Sequence, residues 1–267
     1  MSRIHFVTGA GSGIGAQLVR SLLALGDRVA AADINLAGME SLRSEAGEDR
    51  LMILQLDVRD AAAWDAGIAA VTARWGQFDV LMNVAGVLRS GYCWESSAAD
   101  VDFHLDINAK GAILGTQVAA RLMVAQGHGH IINIASLAGL APVPGLSLYS
   151  ASKFALRGYS LSAAMELREK NVKLTVVCPD AVQTPMLDIQ KGDAHAELTF
   201  SGKRSLSAKE VADAVIAALE TAPIEIALPP LRGVISKLAS FFPATASGTL
   251  ECLRKQGRKR QQRERAA

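Results

Sequence analysis

Seven residues near the start, Gly9-Ala10-Gly11-Ser12-Gly13-Ile14-Gly15, leave this chain few architectures. Ile4-His5-Phe6-Val7-Thr8 before them reads as a short buried strand. After them Leu18, Val19, Leu22 and Leu25 recur at helical spacing as far as Gly26. Strand, glycine turn and helix, in that order, form a setting in which backbone can cradle a phosphate. Glycine lets the main chain come close to a pyrophosphate. The helix N-terminus offers unpaired N–H groups and a partial positive charge. Two registers fit: Gly11, Gly13 and Ala16 match G-x-G-x-x-G/A, while Gly9, Gly13 and Gly15 match G-x-x-x-G-x-G. The flanking elements favour nucleotide binding over an ordinary glycine-rich turn.

Beyond Gly26 the chain alternates strand-like and helix-like runs. Further strands are expected at 28–33, 51–56, 78–82, 130–135, 172–178 and 224–228, with helical patterns between them. Seven strands alternating with helices imply an α/β fold: one Rossmann-like, doubly wound parallel sheet flanked by helices, with ligands at the strand C-terminal edge. The length of 267 residues suffices for one such domain. The expected division is a catalytic domain over 1–230, including a substrate loop at 181–206, and a C-terminal apolar segment with a basic tail over 231–267.

Charge and cysteine usage narrow the partners. The net charge is +2, so no overall field points to nucleic acid. Residues 251–267 hold seven Arg or Lys and two Glu, a local +5, and the preceding 250 residues carry −3. Cys93, Cys178 and Cys252 are far apart, suggest neither a disulfide framework nor a metal site, and fit a reducing compartment. With no leader-like segment and no apolar run of 18 residues, the expectation is a cytoplasmic protein without a transmembrane helix.

Several polar residues stand at strand ends. Asp33 ends the second strand, where an acid can accept from the adenosine ribose hydroxyls and repel a 2′-phosphate. It therefore favours NAD over NADP. Asp57-Val58 follows the third strand; Asp57 could hold the adenine amino group or cap the next helix. Asn83-Val84-Ala85-Gly86 follows the fourth, with small residues that let backbone pass close to a cofactor. Asn108 sits inside a helical stretch, where its propensity is poor. Ser136 ends the fifth strand. Tyr149 and Lys153 lie four apart, on one face if the segment is helical. A Tyr near a fixed cation can transfer protons, if its pKa falls by roughly 3 units from its usual value near 10; alone, the pair would more simply be two residues of an amphipathic helix.

The later chain carries Pro179-Asp180, then an irregular stretch at 181–206 suited to a substrate lid. Ser207 with Glu210 reads as a helix capping box. Leu231, Val234, Ile235, Leu238, Phe241 and Phe242 repeat at helical spacing until Pro243, and a basic run continues from Arg254. Apolar face plus basic segment could meet an anionic membrane surface, making the protein peripheral. The competing reading is a cover for the pocket or a subunit interface, followed by a disordered solubilising tail.

Taken together these residues resemble the classical short-chain dehydrogenases/reductases, from Arg3 to about Leu228. The resemblance rests on Thr8-Gly9-Ala10-Gly11-Ser12-Gly13-Ile14-Gly15, Asp33, Asp57, Asn83-Val84-Ala85-Gly86, Asn108, Ser136, Tyr149-x-x-x-Lys153 and Pro179 with Thr184. It implies that Tyr149 is the general acid/base and that Ser136 holds the substrate oxygen. Lys153 would depress the Tyr149 pKa and contact the nicotinamide ribose. Asn108 would hold a water linking Lys153 to solvent, and Thr184 would touch the carboxamide. The expected cofactor site comprises Gly9, Gly11, Ser12, Gly13, Ile14, Gly15, Asp33, Asp57, Val58, Asn83, Ala85, Gly86, Tyr149, Lys153, Pro179 and Thr184. Val84 stands where a second Asn is common, and Asp180 where the family often has Gly. A homo-oligomer, dimer or tetramer, is implied as well.

The expected function is an NAD-dependent oxidoreductase interconverting a secondary alcohol and a ketone without a metal. An apolar lid around Met186, Leu187 and Leu198 suggests a hydrophobic substrate of the steroid, retinoid or lipid kind. Alternatives are a 3-oxoacyl thioester reductase, a non-catalytic dinucleotide-binding protein, and a membrane-associated module.

Overall fold

A computed structural model describes residues 2–45 and 49–266. The first strand, β1 (Ile4–Thr8), is fully buried and leads through the glycine turn into α1 (Gly13–Ala24). Then come β2 (Arg28–Asp33), a short α2 (Glu40–Glu45), β3 (Leu51–Gln55), α3 (Ala61–Trp75) and β4 (Val80–Asn83). Helix α4 (Ala98–Leu105) runs through a π-helical turn, Asp106–Gly111, into α5 (Ala112–Gln126). The order continues β5 (Gly129–Ile134), α6 (Ser147–Arg168) and β6 (Val172–Pro179).

Seven strands pair in the order β3-β2-β1-β4-β5-β6-β9, where β9 is Glu225–Leu228, and every pairing is parallel. Alternation along each strand sends side chains to opposite faces. Val7, Val29, Ala31 and Met82 meet Leu18, Val19 and Leu22 of α1 and Val211 and Val215 of a later helix on one face. Phe6, Ala30, Leu81 and Ile131 meet Trp64 and Ile68 of α3, Met123 of α5 and Ala163 and Leu167 of α6 on the other. The strand order reverses direction between β1 and β4. The loops leaving these two strands therefore diverge and open a crevice at the C-terminal edge.

Two expectations change. The 181–206 stretch is largely structured: β7 (Val182–Gln183) pairs with β8 (Leu206–Ser207), α7 (Pro185–Asp188) follows Thr184, and a 3₁₀ segment spans Ala194–Phe200. Ser207 and Glu210 form the expected capping box on α8 (Ala208–Thr221). The basic run is no solvated tail. After α9 (Pro230–Phe241) and α10 (Pro243–Ser247) it forms α11 (Leu250–Ala266). That helix lies on the 194–200 segment, where Arg258 pairs with Glu197 at 2.7 Å and the Gln261 amide donates to the Gln190 and Asp193 carbonyls, each at 2.7 Å. No helix among the described residues is long and apolar enough to cross a membrane.

Candidate active site

The crevice is a cavity of about 1440 Å³, lined from Asp33 and Asp57 past the glycine turn to Ser136, Tyr149 and Lys153, and onward to α7, α9 and α11. Gly9 and Gly13 hold positive φ (65° and 52°), where a side chain is strained. A Cβ on Gly9 would also come within 2.8 Å of the Ala85 backbone, and one on Gly13 within 2.9 Å of Thr184. A narrow backbone cradle at a helix N-terminus, with no acidic residue in the first turn of α1, is a fit for a pyrophosphate. The Thr8 hydroxyl fixes the opposite wall by accepting from the amides of Val84 (3.0 Å) and Ala85 (3.2 Å).

At one end, Asp33 Oδ2 accepts from the Gly11 amide and Oδ1 from the Asn35 amide, each at 2.9 Å. Each oxygen keeps a lone pair for a ribose hydroxyl. Gly11 spends its N–H on Asp33 and does not line the cavity. Asp57 lines it but is clasped by Arg59, whose Nε donates to Oδ1 at 2.9 Å and Nη2 to Oδ2 at 2.6 Å. This ion pair holds the Asp57 carboxyl below the usual range. The helix cap considered for Asp57 belongs to Asp60, which accepts from the amides of Ala62 and Ala63. Val58 lines the cavity beside it.

Asn83 is a correction. Its side chain turns away from the cavity into a buried polar cluster, donating to Asn133 Oδ1 at 2.8 Å, to Thr116 Oγ1 and to the Ala112 carbonyl. It fixes β4 to α5 and β5 rather than facing a ligand. Ser12, Ile14, Gly15, Ala85, Gly86, Pro179 and Thr184 all line the cavity.

At the other end, α6 begins at Ser147, so Tyr149 and Lys153 stand one turn apart on its buried face. Lys153 Nζ donates to the Ile134 carbonyl at 2.9 Å and lies 5.7 Å from the Tyr149 ring centroid. Ser136 accepts from the Ala138 amide at 3.1 Å, capping a short 3₁₀ turn. Burial pushes the Tyr149 phenol up to about 12, against a lowering from the Ser136 hydroxyl. Burial pushes the Lys153 ammonium down to about 8. The expected depression of Tyr149 by Lys153 is not seen: loss of water around the phenolate sets the direction, and only the Ser136 hydroxyl opposes it.

Asn108, in the π-turn, is fully buried and has both amide hydrogens engaged: Oδ1 accepts from the Val87 amide at 2.7 Å, and Nδ2 donates to the Val87 carbonyl at 2.9 Å and Ser152 Oγ at 3.0 Å. Ser152 in turn donates to the Tyr149 carbonyl at 2.7 Å. Asn108 therefore braces the Tyr149 turn, and the second lone pair of Oδ1 and its backbone are what is left to hold a water. The role of Ser152 was hidden inside the Tyr149-x-x-x-Lys153 spacing. A second unforeseen pair is Arg232 of α9 with Asp180, 3.0 Å apart in the same cavity. Burial pushes the Asp180 carboxyl up, and Arg232 offsets this only in part. Among the described residues no group of His, Cys, Asp and Glu could hold a metal ion.

Residues 3–194 match the short chain dehydrogenase family. The chain is 34% identical over 226 residues to a 2-(R)-hydroxypropyl-CoM dehydrogenase of Xanthobacter autotrophicus, covering 81% of this chain and 90% of that one. It is 35% identical over 216 residues to an NADP-dependent 3-hydroxy acid dehydrogenase of Escherichia coli, covering 79% of this chain and 87% of the other. A short-chain dehydrogenase/reductase of Burkholderia phymatum, solved in complex with NAD, superposes with a TM-score of 0.80 at 28% identity, over 89% of this chain and 92% of that one. The protein belongs to the short-chain dehydrogenase/reductase family. It is an oxidoreductase that acts on CH–OH groups with NAD(P).

Proposed function

We propose that the protein interconverts a hydrophobic secondary alcohol and its ketone, using NAD. The observation that carries this is one continuous cavity with the Asp33 carboxylate at one end and the Ser136, Tyr149 and Lys153 side chains at the other. Asp33 repels a 2′-phosphate, and the nearby Arg59 is neutralised by Asp57. The glycine turn, Thr184 and the 84–86 loop would hold the dinucleotide, which supplies hydride acceptance and donation when bound.

The chain's own groups manage the oxygen and its proton. A phenol with a pKa near 12 is protonated at neutral pH and donates to a ketone oxygen. Ser136 offers the same oxygen a second hydrogen bond. In the oxidative direction Tyr149 must lose its proton first, and the nearby Lys153 cation stabilises the resulting phenolate. Around them Val143, Met186, Leu187, Leu198 and Ile235 supply an apolar wall, the basis for a hydrophobic substrate.

A panel of hydrophobic secondary alcohols and small polyols, each with NAD and with NADP, tests the assignment by reduced-nicotinamide absorbance. The expected result is the higher kcat/KM for the hydrophobic set with NAD; activity confined to polyols would overturn the substrate class. Tyr149→Phe should lower kcat by about 10²–10⁴-fold while dinucleotide binding, followed by fluorescence, persists. Full turnover in that variant would remove Tyr149 from the mechanism.

A further inference from the structure

We propose that the outer faces of α9 and α11 form a docking surface for an anionic lipid membrane. On α9, Leu231, Val234, Ile235, Leu238 and Phe241 are all more than half exposed, reaching 77% at Phe241, as is Phe242 just past its end. Their three- and four-residue spacing puts them on one side of the helix. The opposite side is already engaged: Gly233 is buried, and Lys237 pairs with Glu225 of β9. The apolar face is therefore left uncovered by the rest of this chain. A contiguous stripe of this kind marks an interaction site, unlike scattered exposed residues such as Leu25 and Met165.

Helix α11 adds the charge. Gly257 and Gln261 are buried against the 190–201 region, which leaves Lys255, Lys259 and Arg263 exposed at four-residue intervals on the far side. None of the three has an ion pair among the described residues. Residues 229–250 contain no Asp or Glu at all. The two helices also border one opening, since Ile235 and Ala239 of α9 and Leu253 and Gln256 of α11 line the same cavity. An apolar helix face beside a cationic one is what an interfacial helix presents to acidic lipid. A second copy docked on itself would bring the same excess of cations, three against the single Glu251 on that stripe, so the charge favours the membrane.

Sedimentation of the full-length protein with vesicles of phosphatidylcholine alone, or mixed with phosphatidylglycerol, tests this. Binding is expected to the mixed vesicles, to weaken with salt, and to be slight with phosphatidylcholine alone. Each cation near such a surface contributes roughly a fivefold gain in partitioning. Lys255→Glu, Lys259→Glu and Arg263→Glu together should therefore cost at least about a hundredfold. Leu238→Ser with Phe241→Ser should abolish binding with dinucleotide affinity unchanged. No sedimentation with the mixed vesicles, or equal binding by the triple variant, would overturn the proposal. So would a light-scattering mass above the monomer that the Leu238→Ser, Phe241→Ser variant halves or quarters without any vesicle binding, which would make the face a contact between copies.

Discussion

Lys153 shows how one buried charge can be costly and useful together. With its ammonium pushed down to about 8 from 10.5, the folded protein releases a proton that the unfolded chain still holds. Between those two values the unfolded state binds more protons, so this residue's contribution to stability rises with pH across that window. A shift of this size corresponds to about 3 kcal/mol. Lys153→Met removes the titration while keeping much of the volume. Denaturant unfolding at pH 7.5 and pH 10.5 (values spanning the shifted and ordinary Lys pKa) should then show the wild type gaining on the variant as pH rises. A stability difference that does not move with pH would mean that Lys153 is not strained by burial. Asp33 allows a second test at this scale. Asp33→Ser removes the charge that opposes a 2′-phosphate, and the kcat/KM ratio of NADP to NAD should rise by at least about tenfold. An unchanged ratio would place cofactor choice elsewhere.

Individual elements were unevenly legible. The strand, glycine turn and helix could be read from sequence because each is local: periodicity, glycine and a buried run lie close together along the chain. Tyr149, Lys153 and Ser136 are singled out by the family resemblance, since the spacing alone fits an amphipathic helix, and the structure brings the three to one cavity. Asn83 could not, since a strand-end Asn reads the same whether it faces a cleft or donates to Asn133, 50 positions away. The cap before α3 was ambiguous because Asp57 and Asp60 both precede it, and only geometry shows that Arg59 occupies Asp57. The helix α11 was hidden by its composition, which looks solvated until the 194–200 segment is seen against it. Its seat depends on Gly257, which packs directly on the Glu197 carbonyl with no space for a side chain. Gly257→Val should therefore lift α11 from the 194–200 segment. Hydrogen exchange should rise in 190–200 and 253–261 but not in α1, and KM should rise more than kcat falls. Unchanged protection in 190–200 would show that this segment keeps its order without α11.

Across the whole molecule, the cavity is built by two parts of the chain that sequence does not connect. The sheet's C-terminal edge supplies Asp180, and α9 supplies Arg232, 52 positions later. The guanidinium also donates to Ser201 Oγ at 3.2 Å, so Arg232 ties the end of β6, the 194–201 segment and α9 together. Asp180 is mostly buried, and its carboxyl is already pushed up from 3.8 even with Arg232 beside it. Removing Arg232 leaves a buried carboxylate without its partner, at a cost of about 3–5 kcal/mol if it stays charged. The carboxyl can escape that cost by taking a proton, which raises its folded-state pKa further. A raised folded pKa means that the native state binds more protons than the unfolded chain, so stability falls as pH climbs through it. Arg232→Ala should accordingly be near wild type in stability around pH 4 to 5, close to the ordinary Asp value, and progressively weaker toward pH 8. Adding Asp180→Asn should recover most of the loss at pH 8, because an amide has no charge to strand. Thermal unfolding of the single and double variants over that range decides the matter. A deficit in Arg232→Ala that is constant with pH, or that Asp180→Asn fails to relieve, would mean that the two halves of the cavity are held by packing alone.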